Sequence, residues 1–393
     1  MENSSIGQRI HPKRGGPETL VLAGAIAQRP AHPGHAWVFL QYLLGFRRLG
    51  WQVLFVDWLD ETICGGPVGQ SRHANYLRAL MERFGLDDSF SLLDRGNGQA
   101  LAGLPRHELL RQAQSSALLL NVMGYLDDAE ILATVPRRVF LDIDPGFPQM
   151  WRELGLADPF SGHDDFVTIG ERIGREDCTI PTVGLEWITT RPPIVLGRWP
   201  RREDPGSAFT SVVSWRGPFG PVEYAGKSYG LRVHEFRKFI ELPRRSDRPF
   251  ELALDIHPDD ERDRALLEQN GWVLVDPVEV AGDPDRYQAY IAGSLGELMV
   301  AKGMYVETRS GWFSDRSACY LASGRPVLAQ DTGLEGLYPL GEGLLPFRTI
   351  DDALAAVEVV CGDYARHAAA ARAIAEEHFD SDIVLAELLA SLG

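Results

Sequence analysis

The segment Thr308–Ser317 combines a glycine-containing turn with two arginines. A predicted strand leads into the turn, and Ser314 is a good N-cap for the helix that follows. Free backbone N–H groups at a helix N-terminus form an anion site together with the helix dipole, and Arg309 and Arg316 could add charge-assisted hydrogen bonds to a phosphate. The pattern predicts a phosphate site, with a capped helix and solvated arginines as the alternative.

An acidic pair, Asp142 and Asp144, closes the predicted strand Arg138–Asp142. Ligands bind beyond the carboxyl ends of strands in open α/β sheets, so Asp144 could contact a substrate or act as a base. An aspartate before Pro-Gly is equally a turn residue, and both interpretations stay open. The pair matches a metal-binding D-x-D by its letters only, so we expect no metal site.

Short apolar strands alternate with helices along almost the whole chain, which predicts an α/β protein with parallel sheets covered on both faces. The alternation breaks at a proline-rich, charged stretch near Thr189–Ser207 and then restarts. The expected divisions are a polar leader (1–18), a Rossmann-like domain (19–195), a linker (196–207), a second Rossmann-like domain (208–375) and a C-terminal helix that packs back toward the first domain (376–393).

Composition narrows the class of partner and the compartment. The chain has 393 residues and a formal net charge of −16, so nucleic acid and anionic membranes are unfavourable partners. Its four cysteines, at positions 64, 178, 319 and 361, are far apart and form no C-x-x-C. The polar N-terminus and the short apolar runs predict neither a signal peptide nor an integral membrane segment. We therefore expect a protein of the reducing cytoplasm.

The region around residues 294–345 resembles the donor-binding half of GT-B glycosyltransferases, in particular a bacterial group of undefined acceptor. Gly311-Trp312 and Ser314 match that family's pattern, with Arg309 in the place of its histidine. The stretch from Ala322 to Ala329 resembles the family's Ala-x-Gly-x-Pro-Val segment. The resemblance implies a GT-B fold, in which two Rossmann-like domains face each other across a cleft.

The resemblance also implies which residues carry the chemistry. His35, in a Gly-His pair after the first predicted strand, matches the general base of inverting relatives, and Asp144 is the alternative base. An imidazole of ordinary pKa can take a proton from a hydroxyl at neutral pH. The implied donor-binding residues are Arg216, Arg232, Glu297, Arg309, Ser310, Gly311, Trp312, Ser314, Asp315, Arg316, Ser317, Asp331, Thr332 and Gly333.

The function implied by the resemblance is hexosyl transfer from a nucleoside diphosphate sugar to a hydroxyl of a small molecule, such as a bacterial secondary metabolite. The first domain would bind the acceptor and the second the donor, with inversion, without a metal, and with no cofactor besides the donor as co-substrate. A GT-B nucleotide-sugar epimerase and a two-domain binding protein without chemistry are the alternatives. Homodimer formation is left open.

Overall fold

The computed structural model describes residues 18–217 and 219–393. The predicted leader therefore lies outside the described residues, except for Glu18. Two separate sheets of mainly parallel strands, each flanked by helices, confirm the predicted α/β class. The bounds of the expected divisions remain predictions, and the strands of the first sheet run from Thr19 to Thr189 and those of the second from Phe209 to Phe347.

The first sheet has eight strands in the order β4-β3-β2-β1-β5-β6-β7-β8, with antiparallel pairing only between β3 and β4. Its central strands are almost wholly buried because helices cover both faces, as their continuous apolar sequences predicted. The strands are β1 (Thr19–Ala23), β2 (Gln52–Leu59), β3 (Phe90–Asp94), β4 (Ala100–Gly103), β5 (Leu118–Val122), β6 (Arg138–Asp142), β7 (Asp165–Thr168) and β8 (Trp187–Thr189). The helices are α1 (Pro33–Arg48), α2 (Glu61–Cys64), α3 (Arg72–Arg83), α4 (Arg106–Gln114), α5 (Ala129–Thr134) and α6 (Phe147–Glu153).

The second sheet has six parallel strands in the order β13-β12-β9-β14-β15-β16, which is the 3-2-1-4-5-6 order of a Rossmann fold when only the strands of this sheet are counted. A two-stranded antiparallel hairpin, β10-β11, follows β9. The strands are β9 (Phe209–Ser214), β10 (Val222–Tyr224), β11 (Lys227–Tyr229), β12 (Phe250–Asp255), β13 (Val273–Val275), β14 (Gly296–Met299), β15 (Val327–Gln330) and β16 (Leu344–Phe347). The helices are α7 (Arg232–Lys238), α8 (Glu261–Gln269), α9 (Pro277–Ala281), α10 (Pro284–Ala292), α11 (Gly303–Thr308), α12 (Asp315–Ala322), α13 (Ile350–Gly362), α14 (Tyr364–His378) and α15 (Ser381–Leu392).

Aromatic packing joins the two domains along α1. The Trp37 ring lies 5.1 Å from the Trp199 ring, which in turn lies 6.2 Å from the Tyr287 ring on α10. The indole Nε1 of Trp37 also donates to the carbonyl of Pro284 at 3.3 Å. Helix α1 of the first domain is therefore held against the linker and against the second domain.

The C-terminal helix α15 packs on α1 of the first domain, at Gly45. A Cβ at Gly45 would lie 2.5 Å from a methyl carbon of Leu385, so glycine permits the close approach of the two helices. Leu385 is fully buried in this contact. The backbone of Ile194, just before the linker, is hydrogen-bonded to Phe379 and Ser381 and secures the crossing.

We expect Leu385→Ala to lower the free energy of unfolding by about 2–5 kcal/mol, because it leaves a cavity between α15 and α1. Ile383→Ala is the matched control on the same helix, since Ile383 is 41% exposed and its loss should cost about 0.5 kcal/mol or less. Urea unfolding followed by tryptophan fluorescence measures both. Equal effects of the two substitutions would contradict this packing.

Candidate functional site

A cleft between the domains collects the loops at the carboxyl ends of both parallel sheets. The first domain contributes residues that follow β1, β5 and β6. The second domain contributes residues at or beyond the ends of β9, β12 and β14. Strand order reverses direction between β1 and β5 and between β9 and β14, which are the two places where open α/β sheets bind ligands. The cleft has a volume of about 340 Å³.

His35 lies on the first-domain wall, in the first turn of α1 rather than on the loop before it. The helix begins at Pro33, whose fixed φ suits the first helical position. The Nε2 atom of His35 lies 3.2 Å from the carbonyl oxygen of Ala25. Burial and the nearby Arg29 lower the pKa of His35 to about 3, so the imidazole is neutral at physiological pH but a weak proton acceptor.

The buried carboxylate of Asp57, near the end of β2, positions the loop that carries Arg29 and His32. It accepts hydrogen bonds from the Ala27 backbone N–H at 2.6 Å and from the Gln28 side chain at 3.1 Å. Burial raises the pKa of Asp57 to about 7, against the lowering effect of these hydrogen bonds.

Asp142 supports Asp144 in a similar way. The Asp142 carboxylate is fully buried and accepts hydrogen bonds from Gln149 at 2.7 Å, from Thr168 at 2.9 Å and from the backbone N–H of Asp144 at 3.0 Å. Burial raises the pKa of Asp142 to about 6. Asp142 thus faces the interior, and Asp144 lines the cleft.

Lys302, the residue before α11, reaches across the cleft to Asp144. Its Nζ lies 2.8 Å and 2.6 Å from the two carboxylate oxygens, and the Tyr305 hydroxyl donates to the same carboxylate. The ammonium also lies within 4.9–5.5 Å of the ring centroids of Phe147, Phe219 and Tyr305. The Lys302 ammonium thus links the second domain to the first domain within the cleft.

Two arginines extend the positive wall of the second domain. Arg232, at the start of α7, donates from Nη1 to the Ser214 carbonyl at 3.1 Å, while its buried Nε has no partner. Burial, together with the nearby Arg316, lowers the pKa of Arg232 to about 10. Arg316 pairs with Glu297 (Nε to Oε1, 2.5 Å) and leaves its Nη2 without a partner. The cleft therefore holds guanidinium donors that no described protein group satisfies.

The N-terminus of α12 opens into the same cleft. Its N-cap, Ser314, makes no side-chain capping bond, so its hydroxyl is not used by the helix. Asp315 occupies the first helical position, where burial raises the pKa of its carboxyl group. Unpaired backbone N–H groups at such an end attract anions.

Seven of the sixteen predicted site residues line the cleft. The cleft is lined by His35, Asp144, Arg232, Trp312, Ser314, Asp315 and Arg316. Glu297 lies behind this wall, as the partner of Arg316. Ser317 is buried with its hydroxyl unpartnered, and it does not line the cleft.

Arg216 and Arg309 lie outside the cleft lining. Arg216 is mostly exposed and pairs with Asp260, with 2.8 Å between Nε and Oδ2. Arg309 ends α11 in a left-handed conformation, and its Nε lies 3.6 Å from Asp177. Because α11 runs between β14 and the turn, Arg309 is carried away from the end of α12. Its donor-binding role remains a prediction that its position does not favour.

The other predicted donor residues form a junction between the domains. Ser310 accepts a hydrogen bond from the backbone of Arg172, and Gly311 donates to the carbonyl of Thr332. Gly333 accepts from the Arg172 guanidinium at 2.5 Å. Asp331 caps the turn after β15 and pairs with Arg348 at 2.6 Å. A ligand role for Ser310, Gly311, Asp331, Thr332 and Gly333 therefore stays untested, and their present contacts are with protein.

Sequence reasoning left out several residues of the cleft, above all Lys302, Tyr305 and Arg29. Lys302 is not among the residues that the sequence assigns to the site. Two signals point to it: it is one of only four lysines in an arginine-rich chain, and it lies three residues after the end of a buried strand. No local pattern marks Arg29 or Tyr305, since their place depends on the fold.

Among residues 18–217 and 219–393, no group of three or more His, Cys, Asp or Glu side chains is arranged to hold a metal ion. No helix in the same part of the chain is both long and apolar enough to cross a bilayer.

Solved structures that resemble this chain include an alpha-glucosyltransferase and a complex with UDP-2-fluoro glucose. No protein-family model matches the sequence, and no curated protein matches it at a significant level. TarM superimposes with a TM-score of 0.59 at 8% identity, over 95% of this chain and 98% of its own. An alpha-glucosyltransferase in complex with UDP and a 13-mer DNA superimposes with a TM-score of 0.55 at 10% identity, over 94% of this chain and 98% of its own. A structure described as trehalose-6-phosphate from E. coli bound with UDP-2-fluoro glucose superimposes with a TM-score of 0.51 at 12% identity, over 95% of this chain and 99% of its own.

These likenesses cover nearly the whole of each chain at very low sequence identity, and so they concern the fold. The chain has the GT-B fold, with two Rossmann-like domains facing across a cleft. The predicted architecture is confirmed.

We expect Asp57 to make stability fall as pH rises. Its folded-state pKa of about 7 exceeds the unfolded value near 4, so the folded protein binds the proton more tightly between these pH values. The stability of the wild type relative to Asp57→Asn should therefore decrease from about pH 4 to about pH 7 and level off above. Urea unfolding at each pH measures this difference in the free energy of unfolding. Asp87→Asn is the control, because Asp87 is exposed. A pH-independent difference would contradict the raised pKa.

Proposed function

We propose that this protein is a glycosyltransferase that moves a sugar from a nucleoside diphosphate donor to a hydroxyl group of a small acceptor. The observation that carries the proposal is the convergence of Arg232, Arg316, Lys302 and the uncapped α12 N-terminus in one cleft of a GT-B fold. Several fixed donors around one point suit a diphosphate, whose negative charge grows as it leaves the sugar. UDP is the first nucleotide to test, since UDP is bound in similar structures.

The first-domain wall supports a small and largely apolar acceptor. Val38, Met123, Tyr125 and Ile143 line this side, with Asp144 as its carboxylate. A second cavity of about 30 Å³ adjoins it and is lined mainly by apolar side chains. A net charge of −16 disfavours a polyanionic acceptor, although one similar structure contains DNA.

We propose the following sugar-transfer step for this arrangement of cations and Asp144. The acceptor hydroxyl gives its proton to Asp144 while its oxygen forms a bond to the anomeric carbon of the sugar. The bond from that carbon to the diphosphate breaks, and Arg232, Arg316 and the α12 N–H groups stabilise the leaving oxygens. A base in the domain opposite the leaving group is expected to give inversion at the anomeric carbon. These positive groups of the protein stabilise the departing diphosphate, so we propose that no metal is needed.

UDP should bind in the presence of EDTA, and Arg232→Met should weaken this binding by about 1.5–3 kcal/mol, the range for a hydrogen bond to a charged group. Arg216→Met is the matched control, because Arg216 is exposed outside the cleft lining and should leave affinity unchanged. Calorimetric titration measures both. Loss of binding in EDTA would overturn the metal-free mechanism, and equal effects of the two variants would remove the proposed phosphate site.

Asp144→Asn should lower kcat by about 10²–10⁴-fold, as expected for loss of a general base. His35→Asn should cost about tenfold or less, because the low pKa of His35 makes it a poor base. The reverse pattern would assign the base to His35, as the sequence resemblance implies.

A further inference from the structure

The ion pair between Lys302 and Asp144 crosses the cleft from the second domain to the first. Both side chains are largely buried, with 7% and 15% of their surfaces exposed. Their closest atoms, Nζ and Oδ2, are 2.6 Å apart. The contact therefore joins the proposed donor wall directly to the proposed base.

The surroundings of Lys302 make an anionic partner necessary. The ammonium is packed among the rings of Phe147, Phe219 and Tyr305, and Arg232 and Arg29 add like charge nearby. Burial lowers the pKa of Lys302, and Asp144 opposes that effect. A buried ammonium that loses its carboxylate is strongly destabilised unless another anion takes its place.

We propose that Lys302 exchanges anions: in the empty protein it pairs with Asp144, and on donor binding it pairs with the diphosphate and releases the Asp144 carboxylate toward the acceptor. This inference rests on the proposed function and assigns the order of events at the same site. A diphosphate held by Arg232 and Arg316 enters the cleft that Lys302 also lines, so two anions compete for one ammonium. Lys302 is thus a positioning residue for the base as well as a donor ligand.

The exchange has a chemical consequence for Asp144. In the empty protein its carboxylate accepts hydrogen bonds from both Lys302 and Tyr305, and each of them stabilises the anion. Lys302 lies against both carboxylate oxygens, so an acceptor hydroxyl must compete with it for hydrogen bonding to Asp144. Transfer of Lys302 to the diphosphate removes one of the two donors and frees a carboxylate oxygen for the acceptor hydroxyl. Proton abstraction from an acceptor is thereby coupled to the presence of the donor.

A double-mutant cycle on UDP affinity tests the exchange. Asp144→Asn removes the competing anion and should tighten UDP binding about tenfold, because coupled groups in contact typically interact at this level. Lys302→Met should weaken UDP binding. In the Lys302→Met background, Asp144→Asn should no longer tighten it. Uridine, which has no phosphate, is the control ligand and should respond to neither substitution.

The outcomes separate the exchange from the proposed function. If Asp144→Asn tightens UDP binding equally with and without Lys302, Asp144 acts by general repulsion and the exchange is wrong. If it leaves UDP affinity unchanged, the exchange is equally wrong, although donor binding stands. If no nucleoside diphosphate binds to the wild type, the proposed function itself fails.

A crystal structure of the wild type with UDP tests the same point without a substitution, should the Asp144 variants not fold. Lys302 Nζ is expected within hydrogen-bond distance of a phosphate oxygen and beyond that distance from Asp144. A Lys302 that remains on Asp144 beside bound UDP would overturn the exchange.

Discussion

Three cations of the second domain, Arg232, Lys302 and Arg316, share one cleft in a protein whose net charge is −16. Burying positive charge is costly unless each group is paired. Arg316 is paired within its own domain by Glu297, and Lys302 is paired across the cleft by Asp144. Arg232 contacts only a carbonyl oxygen, which leaves part of its hydrogen-bonding capacity open. This open capacity supports the proposed anion site.

The two sheets explain why these groups meet. In each domain the chain leaves the sheet at the carboxyl ends of its strands, and the reversal of strand order opens a crevice there. The domains face each other through these crevices, with α1 and α15 fixing their contact. Buried carboxylates, Asp57 and Asp142, hold the first-domain loops beneath the cleft. The loops can thus present polar groups while both sheets stay apolar.

The α/β class could be predicted from the sequence because nearly continuous apolar strands such as Leu118–Val122, in which Asn121 is the single polar residue, are typical of sheets covered by helices on both faces. It was less informative about the site. The turn at Arg309–Gly311 looked like a phosphate loop by its letters, but α11 intervenes and places it against Arg172. Lys302 and Tyr305 reach Asp144 from more than 150 residues away. Such pairings depend on how two domains dock, which no local spacing encodes.

The central claim is that this cleft catalyses sugar transfer. Its most direct test is to incubate the protein with isotopically labelled UDP-sugars and a panel of small hydroxylated acceptors, and to identify the products by mass spectrometry and NMR. We predict a labelled glycoside and free UDP, formed by the wild type and lost in Arg232→Met. Labelled donor that is recovered unchanged, or converted only to its epimer without any acceptor, would contradict the account.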